Sequence, residues 1–374
     1  MGSKRLDRRT LLKAAMIGPG AAVAAGGEAL AAPPRITGLP DISWRLQSSF
    51  PATLDTIYGA AEAMARSAAI LTGGRFRIEI APPDRYVPAG QALDAVSAGS
   101  VQALQTCSYY HVDRDPAFAF GSALPFGLNA RMQDAWIVEG GGGPLLDGLY
   151  AQYGLTSLVA GNTGAQMGGW FRKEIRSLPE MAGLKMRIAG LGGMVLARLG
   201  VEPQELAIES AYAALDDGWL DAAEWSGPYE DEQLGFYKVA PYYYYPGWWD
   251  GGPSIHLLIN RAAFEALPET YKEALRASAA QARHEMQARY DVRNNTAIRS
   301  LIDKGVQLRP FPTDILEAAY KASFELYAEL AAAHPRFKAI YEPWKGFRDQ
   351  IYQSFRVAEY SFESFGFTQQ AKGH

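Results

Sequence analysis

One cysteine, Cys107, stands in the 374 residues, so no intrachain disulfide is available and a cysteine-built metal cluster is excluded. Histidine is scarce as well. His111, His256, His284, His334 and His374 show neither i,i+4 spacing nor H-E-x-x-H, which disfavours zinc hydrolysis. The chain has no G-x-S-x-G, no P-loop, and no G-x-G-x-x-G leading from a strand into a helix. A basic excess is also missing: 36 Lys and Arg stand against 40 Asp and Glu, a net charge of −4, with no basic cluster. Nucleic acid and anionic lipid are therefore poor partners. No apolar run is long enough to span a bilayer, since the Ala/Gly/Leu stretch ending at Ala25 is short and broken by glycine. Stability has to come from size, and the length suffices for two lobes with a core each.

The start of the chain reads as an address. Arg8-Arg9-Thr10-Leu11-Leu12-Lys13 resembles the twin-arginine export motif, and Ala29-Leu30-Ala31 offers a small-x-small cleavage site. Residues 1–31 are expected to be a removable signal that sends the folded protein to the periplasm. Without Lys4, Arg5, Arg8, Arg9, Lys13, Asp7 and Glu28, 31 basic and 38 acidic residues remain, a net −7. An anionic ligand then needs a local positive site that works against the overall field.

The remainder alternates strand and helix. Trp44 and Leu46 mark a strand over 43–48; Ile57, Ala61, Met64, Ala65 and Ala68 mark a helix over 54–71. Phe76, Ile78 and Ile80 alternate with charges, a helix follows over 91–98, and a buried strand over 101–106. This rhythm predicts an α/β lobe whose strand ends face a crevice, with Tyr109 and Tyr110 at its edge. A second α/β lobe is expected from a strand at 166–171, a strand opening at Lys185, and a strand over 220–225. Residues 255–259 read as a return strand, 268–303 as a long bracing helix, and 316–332 and 344–360 as further helices. Gly190–Gly193 reads as a close-packing turn before a helix at 194–199.

The organising stretch runs from Gly161 to Arg187. Met186 and Ile188 predict a buried strand, so Arg187 enters the protein among apolar neighbours. A buried guanidinium is expensive unless an anion answers it, and it is the side chain best shaped to hold a carboxylate by two parallel hydrogen bonds. Two readings stand side by side: Arg187 grips a carboxylate ligand, or it pairs with an internal Asp or Glu.

G-L-K-M-R-I at 183–188 resembles the signature of the solute-binding proteins of TRAP transporters. Residues 87–99, 108–121, 222–232 and 239–252 (V-A-P-Y-Y-Y-Y-P-G-W-W-D-G-G) resemble the branch that binds 2-oxo and 2-hydroxy monocarboxylates with a metal ion. The resemblance covers roughly Ser43 to Phe367. It implies a two-lobed periplasmic binding protein fold of α/β class, with discontinuous domains, hinge strands and long lobe-bridging C-terminal helices. The expected division is 42–165 plus about 252–290 for lobe I and 166–251 plus about 291–335 for lobe II. Residues 336–367 form a C-terminal helix that is a candidate dimerisation element.

In that family the arginine holds the substrate carboxylate, which here falls on Arg187. A sodium or calcium ion bridging protein and ligand falls on Gln166, Glu224, Trp225 and Asp250. Their side-chain and main-chain oxygens suit a hard cation. The alternative for these residues is that Glu224 pairs with a base and Gln166 caps a loop. One departure stands out: the resemblance implies glutamate where this chain has Asp250, whose shorter arm reaches less far. Tyr109, Tyr110, Asn162 and Trp248 are further ligand-binding candidates. Adjacent tyrosines on an extended chain face opposite ways, so one of the pair is expected to reach the ligand. Arg172 ranks below them, its position being that of a solvated turn residue. The implied partners are a small organic acid anion, TRAP membrane permease subunits and a second copy of the chain. A secreted metal-dependent enzyme acting on 2-oxo acids is the rival, weakened by the lack of any nameable base or nucleophile.

Overall fold

Two β-sheets share the chain in an interleaved way. The computed structural model describes residues 38–373, so the expected export signal lies outside the described residues. The first sheet is assembled from β1 (Ile42–Ser48), β2 (Phe76–Ala81), β3 (Ala103–Cys107), β4 (Leu155–Asn162) and β10 (Ser254–Asn260), in the order β2-β1-β3-β10-β4. The second takes β5 (Trp170–Phe171), β6 (Lys185–Arg187), β7 (Glu202–Gln204), β8 (Ala222–Ala223), β9 (Tyr242–Tyr245) and β11 (Gln307–Pro310), in the order β11-β9-β5-β8-β6-β7. β1 runs parallel to β2 and β3, while β10 runs antiparallel to β3 and β4. A return strand inserted between β3 and β4 in an otherwise parallel sheet requires the chain to have left and come back. It leaves after β4 and returns before β10.

The core follows from which faces are apolar. In the helix Ile57–Leu71 the residues at helical spacing, Ile57, Ala61, Met64, Ala65 and Ala68, are all buried. β3 and β10 are buried along their whole length, as helix-covered central strands must be. In the second sheet the four tyrosines of β9 are mostly packing. Tyr243 stacks on Trp170 at 3.9 Å, and the buried Tyr244 donates its hydroxyl to Ile175 O at 2.9 Å. A helix of 35 residues, Glu269–Asp303, carries the chain from β10 towards β11, and at 1.5 Å per residue it spans about 50 Å. It packs on β4 and the 57–71 helix of the first lobe and on the helix Pro228–Leu234 of the second.

Several local expectations change. Residues 190–193 are the first turn of a helix, Gly190–Arg198, rather than a turn before one; a Cβ at Gly192 would lie 2.9 Å from Trp249 Cβ, so close packing does require glycine there. The strands expected over 166–171 and 220–225 shrink to two paired residues each, Trp170–Phe171 and Ala222–Ala223, because the flanking residues turn away to build the crevice. The last helix starts at Pro335 and continues through a π-helical turn, Arg356–Tyr360, into Ser361–Ala371.

His256, buried in β10, gives a pH prediction. Its Nε2–H donates to Gly121 O at 2.7 Å, while Nδ1 has no partner among the described residues. Burial lowers its pKa to about 4 from 6.5, the Gly121 carbonyl working the other way. The unfolded chain therefore binds the extra proton between about pH 6.5 and 4, and stability falls as pH falls through that window. At about 1.4 kcal/mol per unit the contribution is on the order of 3 kcal/mol. Urea titrations across that range should show this slope, and His256→Gln should flatten it; an unchanged slope would assign the acid sensitivity to other groups.

Candidate functional site

The site forms where the two crossing segments meet. Residues 163–169 lead from β4 to β5, and 246–253 lead from β9 back to β10. Main-chain bonds lace them together: Gln166 N–H donates to Asp250 O and Gly247 N–H to Gln166 O, each at 3.0 Å. A Cβ at Gly247 would sit 2.6 Å from Met167 O and 2.7 Å from Gln166 O, so only glycine allows this approach. Asn162 also works in the crossing. Its Nδ2 donates to Gly252 O at 2.9 Å and its Oδ1 accepts from Gly164 N–H at 2.8 Å, which occupies both ends of its amide.

Gln166 and Asp250 thereby sit on the two crossing segments, and both side chains are buried. The Gln166 amide nitrogen donates to Thr163 Oγ1 at 3.2 Å. Its oxygen then lies 3.2 Å from Asp250 Oδ2 and 3.0 Å from the main-chain oxygen of Trp225. Three acceptors face one another. Turned over, the amide donates to Asp250 Oδ2 and to Trp225 O and its oxygen accepts from Thr163 Oγ1 at 3.2 Å, which satisfies the group by itself; in the other orientation the same oxygens suit a hard cation. A spacing of about 3 Å is also what neighbouring oxygens adopt around an ion with bonds of 2.3–2.6 Å. Asp250, for all its shorter arm, reaches the group and is held there by Tyr109, whose hydroxyl donates to Oδ2 at 3.2 Å. Among the described residues no three His, Cys, Asp or Glu side chains gather into a metal cluster. The donor set is amide, carbonyl and carboxylate oxygen, which suits a hard cation and not zinc.

Arg187, at the end of β6, is buried beside this group. Its Nη1 donates to Glu224 Oε1 at 2.5 Å and Glu224 O at 2.8 Å, and its Nε to Leu206 O at 3.3 Å. The Tyr110 phenol also stands within hydrogen-bonding reach of the guanidinium. The guanidinium carbon lies 5.4 Å from the Trp225 ring. Of the two sequence readings of Arg187, the pairing with an internal acid is the one the geometry displays. Glu224, one of the expected metal ligands, turns an oxygen onto Arg187 rather than onto Gln166.

Burial raises the Glu224 carboxyl to about 8, against the pull of Arg187 and with the push of Asp250. Burial likewise raises Asp250 to about 7, against the Tyr109 hydrogen bond and Arg187. For Arg187 burial works against the charge, yet Glu224 and the two tyrosines leave its pKa above the usual value. Two buried acids thus share one guanidinium, and burial raises both despite it.

A cavity of about 650 Å³ reaches Arg187 and Trp225 and is lined also by Tyr109, Tyr110, Ala189 and Leu206, while Gln166, Glu224, Asp250 and Asn162 lie behind its wall and do not line it. Both tyrosines line it. The chain past β3 is a 3₁₀ turn, Ser108–His111, and not extended, so the expectation that one tyrosine faces away does not hold. Burial holds both phenols well above their usual pKa, and they remain neutral donors. Trp248 and Arg172 do not line the cavity. Trp248 stacks on Phe126 at 5.2 Å, so the aromatic run contributes packing there, and Arg172 lies under Gly218. Sequence reasoning missed Phe50, whose ring faces both Tyr110 and Trp225 at 6.3 Å. It also missed the buried acids Glu230 and Asp231, whose placement in the first turn of the Pro228–Leu234 helix was the available signal.

Residues 47–334 match the family described as bacterial extracellular solute-binding protein, family 7. A protein of Nostoc sp. strain PCC 7120 named as a monocarboxylate 2-oxoacid-binding periplasmic protein is 46% identical over 333 residues, covering 89% of this chain and 91% of its own length. Among solved structures, a TRAP transporter solute-binding protein of Bordetella bronchiseptica RB50 superposes with a TM-score of 0.88 at 46% identity, over 90% of this chain and all of that one. It is described as a mixed-occupancy dimer with copurified calcium and picolinate in the active site. A TRAP periplasmic solute-binding protein of Pseudoalteromonas atlantica, with bound sodium and pyruvate, gives 0.83 at 33% identity over 87% of this chain and 99% of that one.

Proposed function

This chain belongs to the bacterial extracellular solute-binding proteins of family 7, and we propose that it captures a small 2-oxo or 2-hydroxy monocarboxylate for a TRAP permease. The family is a binding component of transporters and not an enzyme. The observation that carries the reading is the convergence of Gln166, Asp250 and the Trp225 carbonyl beside the buried Arg187 guanidinium, with Arg187, Trp225 and Tyr110 on a cavity wall. In this reading Gln166, Trp225 and Asp250 hold a calcium or sodium ion, with Glu224 completing the charge, and Arg187 with Tyr110 receives the ligand carboxylate. When bound, the ion supplies a Lewis-acidic partner for the ligand's carboxylate and 2-oxygen.

Charge supports the same arrangement. Glu224, Asp250 and a monocarboxylate carry three negative charges against one on Arg187, and a divalent ion brings the sum to zero. A dicarboxylate adds a fourth negative charge in a nearly dry cavity, which is costly. A thermal-shift panel tests this: pyruvate-like acids with calcium should raise Tm, and succinate or a sugar should leave it in place. A comparable shift with succinate or a sugar would overturn the ligand class.

The exported, periplasmic location and the homodimer belong to the same proposal. Val357, Phe362, Phe365 and Phe367 stand 77, 81, 68 and 67% exposed on the C-terminal helical segment, an apolar surface that a second copy would cover. The dimeric Bordetella relative supports this.

A further inference from the structure

Glu230 is fully buried, yet no lysine or arginine pairs with it among the described residues. It stands on the Pro228–Leu234 helix of the second lobe. One carboxylate oxygen, Oε1, accepts from the main-chain N–H of Ile57 at 3.2 Å, in the first lobe. The other, Oε2, accepts from the indole Nε1–H of Trp225 at 2.9 Å. The two bonds differ in what they reach. Ile57 is the first residue of the helix Ile57–Leu71, whose N-terminus has no side-chain cap from its own segment. Its carbonyl accepts from Gln105 Nε2 at 2.8 Å, and Ser48 Oγ donates to Gln105 Oε1 at 2.7 Å, which fixes the peptide to β1 and β3. Glu230 therefore caps, from the opposite lobe, a helix rooted in the first sheet. A carboxylate suits that place, where orphan N–H groups and the helix dipole favour negative charge. Trp225 is the residue whose main-chain oxygen belongs to the oxygen cluster and whose ring lies against Arg187.

We infer that Glu230 is an interlobe latch that closes on Ile57 only when Trp225 is seated for binding, and so sets how long the bound acid is retained. The inference rests on the proposed function. With the lobes apart, the carboxylate and the Ile57 N–H are both hydrated. Bringing them together exchanges water for two N–H donors around a buried charge, a near balance that needs the bound ligand to tip it. Glu230 touches neither ligand nor ion; it is a positioning residue. A more exposed contact flanks it, where Arg293 Nη1 and the Tyr229 hydroxyl meet Asp55 at 2.9 and 3.0 Å. Such half-exposed ion pairs add little.

Glu230→Gln keeps the shape but converts one acceptor into a donor, so one of the two N–H groups loses its partner. With calcium and pyruvate as probes, stopped-flow tryptophan fluorescence should give an association rate within about twofold of the unaltered protein and a dissociation rate at least about tenfold faster. The Tm of the ligand-free protein should change little. In the unaltered protein, amide exchange at Ile57 should be fast without pyruvate and slow with it, because the first N–H groups of a helix have no partner of their own. That measurement stands even if the variant fails to fold. An Ile57 exchange rate indifferent to pyruvate, or a variant with lowered ligand-free Tm and unchanged dissociation, would reduce Glu230 to a structural acid of its own lobe. If the unaltered protein shows no calcium-dependent pyruvate binding, the ligand assignment fails instead.

Discussion

Arg187→Ala should abolish pyruvate-dependent stabilisation at millimolar ligand and also lower the stability of the ligand-free protein. The ligand loses the one cationic side chain lining the deep end of the cavity, and breaking a buried charge pair costs roughly 2–5 kcal/mol in affinity, or about 30-fold to several thousandfold. Inside the protein, Glu224 Oε1 loses the Nη1 donor 2.5 Å away and its main-chain oxygen loses the same donor at 2.8 Å. An uncompensated buried carboxylate of that kind costs about 3–5 kcal/mol, moderated here because burial already raises the Glu224 carboxyl to about 8 and it takes up a proton readily. Arg187→Lys separates charge from shape. A lysine restores the positive charge but not the planar fork, so it should rescue the ligand-free Tm more than the affinity. Calorimetry against pyruvate with calcium present, alongside melting of the ligand-free variants, reads both effects. Binding by Arg187→Ala within about threefold of the unaltered protein would end the assignment of the guanidinium to the carboxylate.

How much of this is legible in the sequence depends on the kind of signal. Ile57, Ala61, Met64, Ala65 and Ala68 repeat at helical spacing, and Met186 and Ile188 flank Arg187 with apolar side chains; such patterns report burial directly, and the helices and β6 lie where they predict. β5 and β8 pair over two residues each and leave no periodicity to read. The tyrosine pair after β3 reads as extended chain because nothing in S-Y-Y-H announces a 3₁₀ turn; its conformation follows from the tertiary bonds of Ser108, whose N–H and hydroxyl donate to Ser122 and Phe118. Asn162 reads as a turn residue in a loose loop, whereas its amide joins both crossing segments across ninety positions of sequence. Glu230 leaves only its place in the first turn of a short helix as a signal, and that signal misleads. An acid in the first turn of a short helix normally faces water, and only the approach of a helix end from the other lobe makes it an interior group. Each residue's chemistry can be read from the sequence; the meeting of segments far apart in the chain cannot.

Asp250→Asn carries the other large expected effect, because it probes the oxygen cluster without changing its outline. Asparagine retains an oxygen in the place of one carboxylate oxygen, so the geometry survives while one negative charge disappears. Loss of even an outer-shell partner weakens metal sites by about 10–100-fold, and loss of a charged direct ligand should weaken calcium binding by at least about 100-fold. Pyruvate affinity should fall in parallel, since in the proposed arrangement ion and ligand meet beside Arg187 and Trp225, which line the cavity. In the unaltered protein, removing calcium with a chelator should have the same result by a different route. A ligand at a thousandfold its Kd contributes about 4 kcal/mol to stability, roughly 6 °C in Tm for a chain of this size, and that rise should vanish with the chelator and return when calcium is restored. The ligand-free protein gives the opposite sign. There Asp250 is a buried acid raised to about 7 by burial, and the amide introduced by the substitution offers Gln166 a hydrogen-bond partner in either orientation, so Asp250→Asn should melt at or above the temperature of the unaltered protein when no calcium is present. A destabilised variant that still binds calcium and pyruvate normally would mean that Asp250 serves the crossing segments alone and that the ion, if one binds, sits elsewhere.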